Sequence, residues 1–250
     1  MAENLAVSDM TWTETEEVLK DRPVGLLPLG STQAQGPHLP LCADTLVAIE
    51  MARRGAAKLR ERSIPSLILP PISYGVAGLT TGIPGTIGLP PEAATAFLRD
   101  LAIAAGPQFR TIALVHLNVE PVHVECVRKA VEEARKTGAS VCHTDFTKKR
   151  WAEMLGETFM AGEHAGSVVT SIMMAFAGDR VRDSVRISLP PVEGVQAALK
   201  KGAKSLVDAG AEDGYYGDPT AASREDGETY LESLAEVVSM TVMESLGSKA

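Results

Sequence analysis

Long apolar runs, clustered basic residues and paired cysteines are what this sequence lacks. No apolar stretch approaches the roughly twenty residues that a membrane-spanning helix needs, so no membrane partner is expected. The first ten residues, MAENLAVSDM, carry neither a basic segment nor an apolar one, and no secretory leader is expected. Lys and Arg together number 24 against 32 Asp and Glu, a net charge of −8. Nucleic acid and anionic surfaces both select clustered cations, so no nucleic-acid partner is expected either. The densest basic run, Lys148-Lys149-Arg150, reads as a solvated helix face. Cys42, Cys126 and Cys142 are odd in number and widely spaced. That excludes a disulfide framework and a Cys-type zinc site, and it points to a reducing, cytoplasmic setting. Internal repeats and low-complexity segments are also missing.

What is present is an alternation of short apolar runs and helix-length amphipathic segments. With 250 residues, 45% of them hydrophobic, the chain suffices for one domain, 1–250, with a sizeable core. Strands are predicted at 24–29, 66–69, 111–116 and 140–142. Helices are predicted at 13–20, 44–62, 92–105 and 122–136, and then at about 167–177, 195–208 and 222–246. The order β-α-β-α implies a mostly parallel sheet with helices on both faces, a three-layer α/β/α fold. The stretches YGVAGLTTGIPGT and GYYGDPT are too long for tight turns and are candidate site walls. Met173-Met174 reads as core or subunit interface.

Residues 24–45, VGLLPLGSTQAQGPHLPLCADT, are the most informative. A buried strand ends in a Gly-Ser-Thr turn, and Gln33, Gln35, His38 and Asp44 follow. Polar side chains just beyond a strand's carboxyl end are where open α/β sheets place their sites. The segment GSTQAQGPHLPLCADT resembles the fingerprint of the creatininase (creatinine amidohydrolase) family. So do IPGTIGL, VHLNVEP, GEHAGSVVTS and GDPTAASREDGE, in the same order along the chain. The resemblance implies a creatininase-like α/β/α fold, two divalent metals at the strand ends, hydrolysis of cyclic amides or related C–N bonds, and a homo-oligomer, often a hexamer.

The chain departs from the family pattern at the implied metal ligands. Gln33 stands for a Glu, Gln35 and Asn118 each for a His, and Val169 for a Glu, while Asp44 and Glu120 match ligand carboxylates. Divalent zinc and manganese prefer carboxylate, imidazole or thiolate donors, and carboxamides are weak ones. The sequence therefore predicts no metal and no cofactor. Three amides at former ligand positions suggest a retained polar pocket, with Gln33, Gln35, His38 and Asn118 binding substrate through paired donors and acceptors. His164 is the candidate acid/base, with Glu163 beside it and Glu120 or Asp44 assisting. Asp44 also suits a helix N-cap and Glu120 a helix N-terminal acid. Cys42, just before a predicted helix, is a weaker nucleophile candidate. The expected activity is acid/base chemistry on a C–N bond of a small polar metabolite, in either direction and without metal. Two rival readings stay open: a non-catalytic ligand-binding or structural subunit, and a metal-dependent amidohydrolase with replacement ligands.

Overall fold

The computed structural model describes residues 5–247. Four parallel strands form the sheet: β1 (Val24–Pro28), β2 (Ser66–Ile68), β3 (Ile112–Val115) and β4 (Val141–His143). Their order across the sheet is β2-β1-β3-β4, with Gly25 opposite both Leu67 and Ile112, and Ile112 opposite Val141. Both faces are covered, so the strands read as unbroken apolar runs rather than alternations. Successive side chains still point to opposite sides. Leu26, Ala113 and Val115 enter one core cluster, while Leu27, Ile112 and Leu114 enter the other.

The helices are α1 (Trp12–Leu19), α2 (Ala43–Glu61), α3 (Pro91–Ala105), α4 (Pro121–Lys136), α5 (Ala152–Ala161), α6 (Ser167–Ala177), α7 (Asp183–Arg186), α8 (Val195–Lys200) and α9 (Arg224–Ser245). α1 is closed by a capping box between Thr11 and Glu14, and α9 by Ser223 Oγ accepting from the Asp226 amide. α2, α6 and α9 pack on one face of the sheet and α3 with α4 on the other. This is the three-layer α/β/α arrangement the sequence predicts. At the α6–α9 crossing, a Cβ on Gly227 would stand 1.9 Å from the Ser171 carbonyl oxygen, so the two backbones meet directly. Met173 is fully buried in the core, and Met174 packs partly buried against it.

The structure differs from the predicted elements in several places, the short α7 among them. The predicted helix 195–208 stops at Lys200, and the chain turns at Gly202, whose φ of +110° a helix cannot contain. α5 escapes the periodicity because Gly156 (φ +79°, ψ +168°) interrupts it. Lys148–Arg150 is solvent-exposed as expected but lies on no α-helix: Lys149–Trp151 is a short 3₁₀ turn, where Arg150 pairs with Glu244 and stacks 4.0 Å over the Trp151 ring. Among the described residues, no helix is long and apolar enough to cross a membrane.

Candidate functional site

From β1 the chain passes to β2 on one side and then to β3 on the other. The carboxyl ends of β1 and β3 therefore flank the point where strand order reverses, the usual crevice of an open α/β sheet. A cavity of about 500 Å³ lies there. Gln33 and Gln35 reach it from the segment after β1, and Asn118 and Glu120 from the segment after β3. At Gly30 a Cβ would fall 2.4 Å from the backbone nitrogen of Thr45. That close approach holds the first turn of α2 against the strand end and sets Asp44 beside the two glutamines.

Asp44 is not the N-cap. Cys42 takes that position without a side-chain cap, and Asp44 lies in the first turn. Gln33 Nε2 donates to one carboxylate oxygen and Gln35 Nε2 to the other, both at 2.6 Å. Burial pushes the carboxyl up to about 6 against the opposing effect of these two amide donors. Gln33 Oε1 accepts from Thr80 Oγ1 at 3.1 Å. Gln35 Oε1 is buried with no partner. The carboxylate thus fixes which way each amide faces, and it leaves one carbonyl oxygen of Gln35 unused.

Asn118 shows the complementary pattern. Its Oδ1 accepts the Glu120 backbone N–H at 2.8 Å, and its Nδ2 is buried without a partner. Glu120 is the N-cap residue of α4 but makes no side-chain cap. Its Oε1 instead accepts the Gly78 N–H at 3.1 Å. Burial raises the Glu120 pKa, the nearby Asp44 charge adds to the rise, and the Leu79 and Gly78 backbone donors oppose it.

His164 reaches the cavity from the segment before α6. Its Nε2 lies 2.8 Å from the Ala34 carbonyl oxygen, which only accepts, so Nε2 carries the hydrogen and Nδ1 holds the free lone pair. Burial lowers its pKa, partly offset by the Ala34 bond, and keeps the ring neutral. The His164 backbone bridges to Tyr216, and the next residue, Ala165, adopts φ +50°. A non-glycine residue in that region costs energy, and such positions concentrate at sites.

Two predicted residues take other positions. His38 is fully buried outside the cavity lining. Its Nε2 meets Thr170 Oγ1 at 2.8 Å and its ring packs edge-on to Tyr215, so it supports the wall from behind rather than meeting a ligand. Glu163 lines the cavity, but its carboxylate turns back to accept the Val168 amide and the Ser167 hydroxyl at the start of α6. It positions His164 and the helix. Cys42 is half-buried and is not among the lining residues. His116 and His123 are packing residues, buried against His143, with His116 Nε2 3.3 Å from His143 Nδ1. Sequence reasoning missed Lys200, Lys204 and Gln196, which line the cavity from α8 and the turn after it. The two loops singled out as walls do line it, through Gly78, Leu79 and Tyr216.

The sequence profile of creatininase, creatinine amidohydrolase, matches residues 8–242. The chain belongs to the creatininase family. A mycofactocin precursor peptide peptidase of Mycobacterium tuberculosis is 28% identical, over 92% of this chain and 88% of its own length. One from Mycobacterium ulcerans is 32% identical over 82% and 78%. The creatinine amidohydrolase of Pseudomonas putida is 26% identical over 98% of both. A crystal structure of creatinine amidohydrolase superposes with a TM-score of 0.76 at 23% identity, covering 99% of this chain and 100% of that one.

The prediction of no metal and no cofactor requires correction. Solved creatininases include a manganese form and a zinc–zinc form, with TM-scores of 0.69 and 0.70 against this chain, so the family uses divalent metal. The side chains present here do not reproduce a two-metal donor set. Both Asp44 oxygens face amide hydrogens, Val169 offers no donor, and no three His, Cys, Asp or Glu among the described residues group to hold an ion.

Proposed function

We propose that this creatininase-family protein hydrolyses the C–N bond of an amide, carried by a small polar molecule or by a peptide end. The observation that carries the reading is that two residues lining one cavity, Gln35 and Asn118, each hold a buried amide atom without a partner. Gln35 Oε1 is an acceptor without a donor, and Asn118 Nδ2 is a donor without an acceptor. An amide group supplies both missing partners, its N–H to Gln35 and its C=O to Asn118. Buried polar atoms left unpaired cost about 1–3 kcal/mol each, so a ligand that pairs them gains that amount. The peptide-processing name of the mycobacterial relatives and the cyclic-amide name of the Pseudomonas relative both fit an amide at this position.

The roles follow from which atoms remain free. Glu120 is steadied by the Gly78 and Leu79 backbone donors, Gly78 on Oε1, and its carboxylate takes the proton of the attacking water. As water oxygen bonds to the carbonyl carbon, charge gathers on the carbonyl oxygen and strengthens its bond from Asn118 Nδ2. Glu120 then passes the proton to the leaving nitrogen as the C–N bond breaks, giving an acid and an amine. His164 Nδ1 accepts the proton that the new acid releases. Asp44 acts through Gln33 and Gln35 as a positioning residue. A carboxyl whose pKa lies above its ordinary range is suited to this exchange near neutrality.

A panel of formamides, lactams, N-acyl amino acids and short peptides, read by amine release, tests the reading. The wild-type protein releases amine from at least one class, and Glu120→Gln lowers the rate by about 10²–10⁴-fold while folding normally. A wild-type protein inert toward every class, or a Glu120→Gln variant of full activity, overturns it.

A further inference from the structure

The cavity lining includes two cations that the amide chemistry leaves unused. Lys200 closes α8, and Lys204 follows two residues after the Gly202 turn; both line the cavity and both are exposed. Neither ammonium makes an ion pair with any described residue, whereas Lys58, Arg54 and Arg186 are each paired. Asp44, Glu120 and Glu163 line the same cavity, and Lys200 and Lys204 are the cations that line it without an ion-pair partner among the described residues.

The rim that carries them is built into the fold. Gln196 Nε2 donates to the Ala161 and Gly162 carbonyl oxygens at 2.6 and 2.8 Å, tying α8 to the His164 side of the cavity. The Leu206 N–H donates to the Leu79 carbonyl oxygen at 2.7 Å, next to the Gly78 amide that holds Glu120. Val195, Leu206 and Ala211 bury themselves against Leu79 and Tyr216. The backbone that bears the lysines is therefore tied to the segments that carry Glu120 and His164. Leu79, Leu117, Val119 and Leu199 supply apolar wall to the same cavity.

We infer that the substrate carries a carboxylate beyond the amide, separated from it by an apolar group, and that Lys200 and Lys204 select it. An N-acyl aliphatic amino acid or a peptide C-terminus has this order of groups. The inference rests on the amide reading of the Gln35–Asn118 pair and adds the charge of the molecule bound there. Exposed ion pairs are individually weak, so the two lysines together supply preference on the order of tenfold rather than the bulk of affinity.

Binding, measured by calorimetry on the full chain, tests this without requiring turnover. The ligands are N-acetyl-leucine, N-acetyl-valine and the short dipeptides, each against its C-terminal primary amide. The expected result is about tenfold tighter binding of each acid than of its amide, weakening as salt is raised, with the preference lost in Lys200→Ala/Lys204→Ala. Lys201→Ala, which alters an exposed lysine outside the lining, keeps the preference. Equal binding of acids and amides, no binding of any acid, or a preference that survives the double substitution overturns the inference. If the acids bind preferentially through the lysines and yet no amide is ever cleaved, the hydrolytic reading fails and the carboxylate assignment stands.

Discussion

Replacing Asp44 by Asn separates the electrostatic cost of the site from its use. The folded-state pKa of about 6 lies above the ordinary 3.8 because burial penalises the ionised carboxylate more than the Gln33 and Gln35 donors favour it. The folded protein therefore keeps the proton to higher pH than the unfolded chain does. Below 3.8 both forms are protonated and the group costs nothing; as pH rises through the window up to about 6 the folded state loses stability, and above it the loss is complete. A carboxyl moved over that interval amounts to a penalty on the order of 3 kcal/mol. Asn does not ionise. Its own packing cost, one amide hydrogen of Gln33 or Gln35 facing another, is independent of pH and cancels when two pH values are compared. Urea unfolding of both proteins is the assay. Relative to wild type, Asp44→Asn should gain on the order of 3 kcal/mol in going from below 3.8 to above 6. Relief of the Asp44 charge on Glu120 adds to the gain in the same direction. Activity should fall, because the two glutamine amides lose the anion that orients them. A stability difference that does not change with pH would refute the argument that this carboxylate is held ionised at a cost.

The histidine cluster works with the opposite sign. Burial holds His116, His123 and His143 below the ordinary 6.5, the last two at about 4, so their stability contribution is present above 6.5 and lost as pH falls through that window. His123→Leu should flatten the acid limb of a urea-midpoint profile by on the order of 3 kcal/mol, and an unchanged limb would contradict it. His164→Ala should lower amide turnover by less than the ~10²–10⁴-fold of Glu120→Gln, since His164 acts after the C–N bond breaks, with an unchanged circular dichroism spectrum; a variant as active as wild type removes His164 from the chemistry. Gly30→Ala should cost about 1–3 kcal/mol, since the new Cβ meets Thr45 backbone that cannot swing aside, and wild-type stability in urea would show that α2 is free to shift.

Much of the architecture is legible because burial on both sheet faces writes continuous apolar runs into the sequence. The four strands fall within a residue or so of their predicted bounds. The long helices are legible through their caps and periodicity, while α5 and the end of α8 are not, because single glycines at positive φ break segments whose composition still reads as helical. The site residues Gln33, Gln35, Asp44, Asn118, Glu120, Glu163 and His164 share one cavity. His38 sits within the same conspicuous segment yet faces Thr170, since a segment that turns at Gly36 sends neighbouring side chains to different sides.

The sequence alone determined the family, the layer order and the residue types at the strand ends, because those follow from local pattern and chain order. Only the tertiary structure decided what each polar atom does. Orientation is a property of partners brought from distant parts of the chain: Asp44 turns two glutamine amides, the Glu120 backbone turns Asn118, and the Ala34 carbonyl sets the His164 tautomer. The two rim lysines belong to the same class of fact, since nothing in a helix-like stretch of sequence states which cavity its end will close.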